Sequence, residues 1–308
     1  MRIIFMGTPD FAVASLKALI DAGENVVAVI TSPDKPAGRG QKLHQSAVKQ
    51  FAVANNLPIL QPEKLKDKDF LEKLKSYKAD LQVVVAFRML PEVVWNMPPL
   101  GTINVHASLL PQYRGAAPIN HAIINGETET GVSTFLLQHE IDTGNILLST
   151  KVNIEETDNA GTLHDKLMSA GAETLIQTIK GFKANTLTPV PQENIITDKL
   201  NHAPKIFKDD CKIDWTQTNT QVYNKIRGLS PYPAAFTTID NKTLKIYEVE
   251  KEDNLSGTPT GEYITDKKTY LKFSTANGLI NLKSIQIEGK KRMSIDEFLR
   301  GYRFESIN

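Results

Sequence analysis

The chain has 308 residues, of which 41% are hydrophobic and 23% charged, so its length and composition fit two packed domains of a globular protein. Its net charge of +1 points by itself to no class of partner, and its single cysteine, Cys211, excludes an internal disulfide framework and fits a reducing, cytoplasmic location. The apolar run Arg2–Met6 is too short for a signal peptide, and no run approaches the roughly 18 residues of a membrane span.

The first half of the sequence alternates short apolar runs with amphipathic segments. Phe11–Ala22 carries apolar residues at helical spacing and stops before Gly23, and Glu63–Tyr77 has the pattern of a surface helix. This alternation predicts βαβ units and a mostly parallel sheet with helices on both faces. The predicted strands are Arg2–Met6, Asn25–Thr31, Leu57–Leu60, Leu81–Phe87, Thr102–Val105 and Gly131–Leu137.

The second half begins with a long predicted helix, Leu163–Phe182, followed by a Thr-, Asn- and Pro-rich segment without sustained periodicity. We expect a first domain over residues 1–188, a linker over residues 189–205 and a second domain over residues 206–308. In the second domain, short apolar runs alternate with Asn- and Gly-containing turns, which predicts a small β-barrel or sandwich.

Charge is distributed unevenly between the two halves. From Lys205 onward the chain has 17 Lys and Arg against 14 Asp and Glu, whereas residues 1–204 have 19 against 21. The mildly basic C-terminal part is compatible with a polyanionic partner, but an ordinary solvated surface is the commoner explanation of such a balance.

Two polar residues stand at the end of the predicted strand Thr102–Val105. Asn104 and His106 point to the same side, because side chains alternate along a strand. Ligands of open α/β sheets bind outside the carboxyl ends of the strands. The pair is therefore a candidate site, although a strand end that hydrogen-bonds the next loop has the same spacing.

Two further segments have a residue composition that is typical of ligand-binding loops. Tyr113–Ile119 is rich in small residues and contains Pro118 where a helix would begin, which lets the backbone run close to a ligand. Glu140–Ile146 places Asp142 in a tight loop between two apolar runs. An Asp in such a loop is commonly a turn residue that bonds its own backbone.

Taken together, Asn104, His106, Ser108–Pro111 and Ile141–Gly144 resemble the signature of the formyltetrahydrofolate-dependent formyltransferases. Other segments narrow the resemblance to the methionyl-tRNA formyltransferase family: Met6–Phe11, Pro33–Gly40 and the start of the second domain at Ile213–Trp215. The resemblance implies an α/β, doubly wound, Rossmann-like formyltransferase domain followed by a small OB-like β-barrel.

The resemblance also implies a reaction. A formyl group would pass from 10-formyltetrahydrofolate, a cosubstrate and not a tightly bound cofactor, to the amino group of initiator methionyl-tRNA, without a metal. The implied catalytic residues are Asn104, His106 and Asp142. The implied folate-binding residues are Ser108, Leu109, Leu110, Pro111, Phe87, Met89, Leu90 and His139. The chain departs from the family at Phe87-Arg88 and at Gln138–Glu140, beside the expected pterin pocket.

Binding of tRNA is expected from two basic segments, in a protein that we expect to be a monomer. The loop Ser32–Lys49 has a charge balance of +3. In the family an insertion at this place contacts the acceptor arm. The implied tRNA-binding residues are Lys35, Arg39 and Lys42 in this loop, and Lys290, Lys291 and Arg292 in the second domain.

The chemistry of formyl transfer accounts for the three catalytic residue types. Attack of the amino group on the formyl carbon creates an oxyanion, which the Asn104 amide and a His106 N–H would stabilise. His106, or a positioned water, would transfer the proton, and the Asp142 carboxylate would hold water and favour a charged imidazole.

Other functions fit the sequence less well. The six histidines and one cysteine have no zinc-ligand spacing, Gly7–Asp10 lacks the dinucleotide-binding glycines, and Ser108 lacks a G-x-S-x-G elbow. The remaining alternatives are a formyltransferase acting on a small molecule such as glycinamide ribonucleotide or an amino sugar, a formyltetrahydrofolate hydrolase, and a catalytically silent tRNA- or folate-binding protein.

Overall fold

The computed structural model describes residues 1–37, 42–195, 199–253 and 257–304 of the chain and contains two compact units. The first unit consists of residues 1–115, 130–153 and 164–202, and the second of residues 116–129, 154–163 and 203–308. The units interleave along the sequence, and the division at residues 188 and 205 stays a prediction.

The strands up to residue 153 and the helices up to residue 184 follow in chain order. The strands are β1 (Arg2–Gly7), β2 (Asn25–Ile30), β3 (Lys35–Ala37), β4 (Lys42–His44), β5 (Ile59–Leu60), β6 (Leu81–Val85), β7 (Thr102–His106), β8 (Arg114–Gly115), β9 (Glu129–Leu136) and β10 (Ile146–Asn153). The helices are α1 (Asp10–Asp21), α2 (Ala47–Ala54), α3 (Lys68–Ser76), α4 (Glu92–Trp95), α5 (Pro118–Ile124) and α6 (Ala160–Ala184).

The first unit is built on a mostly parallel sheet, as the alternating pattern predicts. Among the described residues this sheet has seven strands in the order β10–β9–β7–β6–β1–β2–β5. The pairs β1–β2, β1–β6, β2–β5 and β6–β7 are parallel, whereas β9 runs antiparallel to β7. From β1 the chain first adds strands on one side and then on the other, which opens a crevice at the carboxyl ends of the strands.

Several element ends differ from the sequence predictions for identifiable reasons. The predicted strand Leu81–Phe87 ends at Val85, because Ala86 has a left-handed backbone with φ of +46°. Helix α3 begins at Lys68, not at Glu63, because the Asp67 carboxylate accepts the Phe70 N–H at 3.1 Å and caps the helix there.

His202, the first residue of β11, belongs to the first unit. The second unit contains the other residues of the remaining strands, which are β11 (His202–Ala203), β12 (Ala235–Ile239), β13 (Lys242–Glu252), β14 (Tyr263–Thr265), β15 (Leu271–Ser274), β16 (Leu279–Ile287) and β17 (Met293–Ser294). Its later helices are α7 (Asn219–Leu229) and α8 (Ile295–Gly301), and single 3₁₀ turns occur at Gln192–Asn194 in the first unit and Asp209–Cys211 in the second.

The sheet of the second unit is antiparallel, in the order β12–β13–β16–β15–β14 with β17 beside β16. Register shifts between Ile246 and Val249 on β13 increase the local bend of the sheet. Trp215 and Phe273 stack in its core with ring centroids 4.5 Å apart. The predicted fold class, a doubly wound mostly parallel sheet followed by a small OB-like β-barrel, is confirmed, and this curled antiparallel sheet forms its second part.

Residues 116–129 belong to the second unit because α5 packs on α7. The Asn120 amide donates a hydrogen bond to the Gly228 carbonyl at 2.8 Å, and Ile124 packs against the core of the curled sheet. Within the ranges that the structure covers, no helix is both long and apolar enough to cross a membrane.

Candidate active site

The candidate site forms where β6 and β7 end. Since these strands are parallel, the loops that follow Val85 and His106 leave the sheet at the same edge. Asn104 and His106 are two residues apart on β7, so they lie on one face of the sheet. Asn104 is half-buried and His106 is 7% exposed.

The two ring nitrogens of His106 have different surroundings. Nε2 lies 2.9 Å from the carbonyl oxygen of Tyr113. A carbonyl can only accept a hydrogen bond, so Nε2 carries a hydrogen and donates it there. Nδ1 lies 3.9 Å from Oδ2 of Asp142. That gap is too long for a direct hydrogen bond, and it leaves Nδ1 as the nitrogen open to a reacting group or a water.

Asp142 is held in an uncommon backbone conformation. Its φ is +55°, and its carboxylate, only 11% exposed, accepts the Gly115 N–H through Oδ2 at 3.0 Å. Left-handed non-glycine residues cluster at functional sites, where surrounding contacts maintain the strain. The sequence pattern alone is compatible with two roles for Asp142, a structural turn residue or a residue of the site. Its carboxylate faces His106 and does not bond its own turn.

Gly144 lets the Asp142 loop lie against β9. A Cβ atom at this position would be 1.6 Å from the Leu136 carbonyl oxygen, which is a backbone atom that cannot swing away. The small residue in the Ile141–Gly144 motif therefore sets how closely this loop approaches the sheet.

We expect Gly144→Ala to lower the free energy of unfolding by about 1–3 kcal/mol, because the added methyl forces the loop away from β9. Denaturant titration of the purified variant measures this loss. Gly301→Ala is the matched control, since a Cβ at Gly301 meets no atom within 4 Å. Equal unfolding free energies for the two variants would contradict this view of the loop.

The stretch Ser108–Pro111 follows β7 and is largely buried. Ser108 is fully buried and donates its hydroxyl hydrogen to the Gln112 carbonyl at 2.6 Å. Leu110 packs with Phe135 and Ile146. Because the Ser108 hydroxyl is hydrogen-bonded and the Leu110 side chain is packed within the protein, we expect these two residues to contact folate through backbone groups. The sequence alone did not separate side-chain from backbone contacts.

The other predicted folate-binding residues lie on two neighbouring loops. Phe87 is half-buried and Leu90 is 9% exposed, and both belong to the packing around β1, β2 and β6. Met89 is 73% exposed. His139 is exposed, and its ring is roughly perpendicular to the Trp95 ring, with the two ring centroids 5.4 Å apart.

One residue that the sequence did not indicate reaches the site from the predicted linker. Gln192 is 4% exposed, and its Nε2 donates to the carbonyl oxygens of Asp142 at 2.9 Å and Gly144 at 2.7 Å. Its Oε1 accepts two hydrogen bonds from the Arg114 guanidinium, at 2.9 and 2.6 Å. The local sequence lacks periodicity and gives no signal for this contact.

The basic loop predicted to bind tRNA contains a short hairpin, in which β3 pairs with β4. Lys35 is exposed on β3. Lys42 begins β4, but the placement of its side chain and the whole of Arg39 lie outside the described residues. At the base of the loop, Lys49 forms an ion pair with Asp34 at 2.5 Å, so it does not add to the free positive charge. Hydrogen bonds from Lys49 and Gln61 lower the pKa of Asp34.

The second predicted tRNA-binding segment is the turn between β16 and β17. Lys290 and Lys291 are exposed there. Arg292 is ion-paired with Glu248 and stacks over the Tyr247 ring at 4.5 Å. The charge of Arg292 is therefore partly neutralised by a neighbouring strand, whereas the two lysines are exposed to solvent.

The described parts of the chain contain no group of three or more His, Cys, Asp and Glu side chains arranged to hold a metal ion.

Comparison with known proteins identifies the family of this chain. A family model described as "Formyl transferase" matches residues 1–179, and one described as "Formyl transferase, C-terminal domain" matches residues 205–303. A protein of Bacteroides thetaiotaomicron named "Methionyl-tRNA formyltransferase" is 54% identical, over 98% of this chain and 96% of its own length. One of the same name from Parabacteroides distasonis is 56% identical, with the same coverage.

The chain belongs to the methionyl-tRNA formyltransferase family. Its fold is also that of more distant solved structures. WlaRD, a sugar 3N-formyl transferase, has a TM-score of 0.66 at 22% identity, over 94% of this chain and 99% of its own. HypX from Aquifex aeolicus, in complex with tetrahydrofolic acid, has a TM-score of 0.66 at 19% identity, over 99% of this chain and 48% of its own.

Proposed function

We propose that this protein transfers the formyl group of 10-formyltetrahydrofolate to the amino group of initiator methionyl-tRNA, as a monomer in the cytoplasm. The observation that carries the proposal is identity above 50%, over nearly the whole chain, to proteins named "Methionyl-tRNA formyltransferase". The juxtaposition of His106 and Asp142, with Asn104 on the same strand face, supplies groups suited to that reaction.

The Asn104 amide provides the first catalytic contribution in this proposal. When the methionyl amine attacks the formyl carbon, the carbonyl oxygen becomes an oxyanion. A donor already aimed at that oxygen stabilises it more than the ground-state carbonyl, and one such donor is worth about 10²–10³ in rate. The Asn104 amide, half-buried near the carboxyl end of β7, would supply this donor.

His106 moves the proton in this proposal. Its Nε2 hydrogen is committed to the Tyr113 carbonyl, so Nδ1 is the nitrogen that exchanges a proton with the reactants. The attacking nitrogen loses a proton to Nδ1, directly or through a water, and N10 of the folate receives it as the carbon–nitrogen bond breaks. The Asp142 carboxylate, 3.9 Å from Nδ1, stabilises the imidazolium that exists between these two steps.

The folate is expected to lie beside the loop that follows β6. Phe87 and the exposed Met89 offer apolar contacts there, and the backbone of Ser108–Pro111 offers polar ones. The buried hydroxyl of Ser133 holds this backbone, since it accepts the Leu110 N–H at 3.1 Å and donates to the Ser108 carbonyl at 2.8 Å.

The basic turn of the second unit is assigned to tRNA phosphates. We expect the double variant Lys290→Ala/Lys291→Ala to raise the KM for tRNA several-fold and to flatten its salt dependence, with the KM for folate unchanged. Steady-state formylation at several salt concentrations measures this. Lys267→Ala/Lys268→Ala removes the same charge from another exposed turn of the unit. If both double variants behave alike, the turn only contributes to bulk electrostatic attraction.

An acceptor competition tests the proposed function. Labelled 10-formyltetrahydrofolate is added to the purified protein in three reactions. The acceptor is initiator methionyl-tRNA in the first, glycinamide ribonucleotide or an amino sugar nucleotide in the second, and both kinds of acceptor in the third. The expected product is formylated methionyl-tRNA, in the mixture as well. Transfer to a small molecule in preference to tRNA, or release of free formate, would replace the proposal with one of the alternative activities.

A further inference from the structure

Gln192 connects three segments around the candidate active site through one side chain. Its Nε2 donates hydrogen bonds to the Asp142 and Gly144 carbonyls, and its Oε1 accepts hydrogen bonds from the guanidinium of Arg114. The next residue, Gly115, donates its N–H to the Asp142 carboxylate at 3.0 Å. The result is a closed ring of hydrogen bonds that begins and ends at Asp142, with Gln192 opposite the carboxylate.

This ring of hydrogen bonds restrains both the backbone and the carboxylate of Asp142. A left-handed non-glycine residue costs about 1–2 kcal/mol, so the φ of +55° persists only if neighbours fix it. A carboxylate also rotates freely unless its oxygen atoms are bonded. The Gln192 amide fixes the backbone on either side of Thr143, and the Arg114–Gly115 strand fixes Oδ2, which faces Nδ1 of His106.

We propose that Gln192 is a positioning residue for formyl transfer, which keeps the Asp142 carboxylate directed at His106. The inference rests on the proposed function, because it assumes that Asp142 acts in catalysis. Gln192 does not touch the reacting atoms in this proposal. It acts through Asp142, and its loss should lower kcat without weakening the binding of either substrate.

A glutamine is required because the position both donates and accepts. A glutamate at 192 would still accept from Arg114, as an ion pair, but it could not donate to the two carbonyl oxygens and would repel them. Gln192→Glu therefore removes the Asp142 half of the ring and keeps the Arg114 half. The linker itself stays attached, since the backbones of Val190 and Ile146 exchange two hydrogen bonds of 2.8 and 2.9 Å.

The chain offers a matched control for linker docking. The Gln112 side chain donates to the Lys199 carbonyl at 2.6 Å and accepts the Asn201 N–H at 2.9 Å. It therefore ties the same linker to the same region of the chain, but it does not contact Asp142. Gln112→Glu removes an equivalent donated hydrogen bond, so it reports the effect of weakened docking alone.

We expect Gln192→Glu to lower kcat for formylation of methionyl-tRNA by about 10- to 100-fold, because a carboxylate misplaced by about 1 Å loses a factor of that order. Both KM values should change by less than about twofold, and kcat of Gln112→Glu should stay near the wild-type value. In an Asp142→Asn background, Gln192→Glu should cause no further loss, since the group that it positions is already gone.

Two results would overturn the inference while leaving the proposed function intact. One is a kcat of Gln192→Glu equal to that of Gln112→Glu, with Asp142→Asn inactive. The other is an equal loss from Gln192→Glu in the presence and absence of the Asp142 carboxylate. An Asp142→Asn variant with wild-type activity would instead contradict the proposed function. If Gln192→Glu does not fold, Arg114→Met tests the other half of the ring: a several-fold lower kcat supports the inference, and wild-type kcat overturns it.

Discussion

His106→Ala and Asn104→Ala should each lower kcat for formyl transfer by at least about 10², which corresponds to about 2.7 kcal/mol of lost transition-state stabilisation. In the proposed mechanism each side chain acts on the reacting groups more than on packing. Asn104 is half-buried, and His106 has one ring nitrogen open towards Asp142. Steady-state kinetics with methionyl-tRNA as acceptor measures the loss, and denaturation midpoints near the wild-type value show that the fold survives.

A second substitution at His106 separates proton transfer from packing. Glutamine keeps an N–H for the Tyr113 carbonyl, which the native ring satisfies at 2.9 Å, but it has no nitrogen that takes up a proton near neutral pH. His106→Gln should therefore be as inactive as His106→Ala. Wild-type turnover in His106→Gln, at unchanged affinity for folate and tRNA, would remove His106 from the mechanism.

Asp142→Asn should lower kcat nearly as much, although the two side chains have almost the same shape. The amide oxygen can still accept the Gly115 N–H, so the loop keeps its conformation. A neutral amide cannot stabilise the imidazolium that forms when Nδ1 takes the proton. The expected signature is a kcat lower by about 10², with both KM values and the unfolding free energy close to those of the wild type.

The control for Asp142→Asn removes the same charge at a remote place. Asp69 is exposed in the first turn of α3, and Asp69→Asn should leave kcat unchanged. Its use excludes a general effect of net charge on tRNA binding. An Asp142→Asn variant that is as active as Asp69→Asn would mean that Asp142 only shapes its turn.

Local patterns in the sequence were sufficient to predict the sheet and the pair on β7. Apolar runs alternate with amphipathic segments along the first half, and a two-residue spacing puts Asn104 and His106 on one strand face. Both signals act within a few residues, so they are readable without the fold. The role of Asp142 needed the resemblance, because an aspartate in a tight loop has a common structural explanation.

Long-range contacts were not predictable from the same patterns. Gln192 bonds residues 48, 50 and 78 positions away, and it lies in a segment whose composition indicates only a linker. The participation of residues 116–129 in the second unit is hidden for the same reason, since α5 meets α7 across about a hundred residues of sequence. Ion pairing of Lys49 with Asp34 likewise changes the charge that a count along the loop suggests.

Single-turnover formylation of initiator methionyl-tRNA at saturating 10-formyltetrahydrofolate is the sharpest test of the proposed roles of Asn104, His106 and Asp142, because it isolates the chemical step from product release. The reaction is run with the wild type, Asn104→Ala, His106→Gln, Asp142→Asn and the control Asp69→Asn. We expect the wild type and Asp69→Asn to produce formylmethionyl-tRNA at equal rates, and the other three variants to be slower by at least about 10². No product from the wild type, or a wild-type rate in any of those three variants, would contradict this expectation.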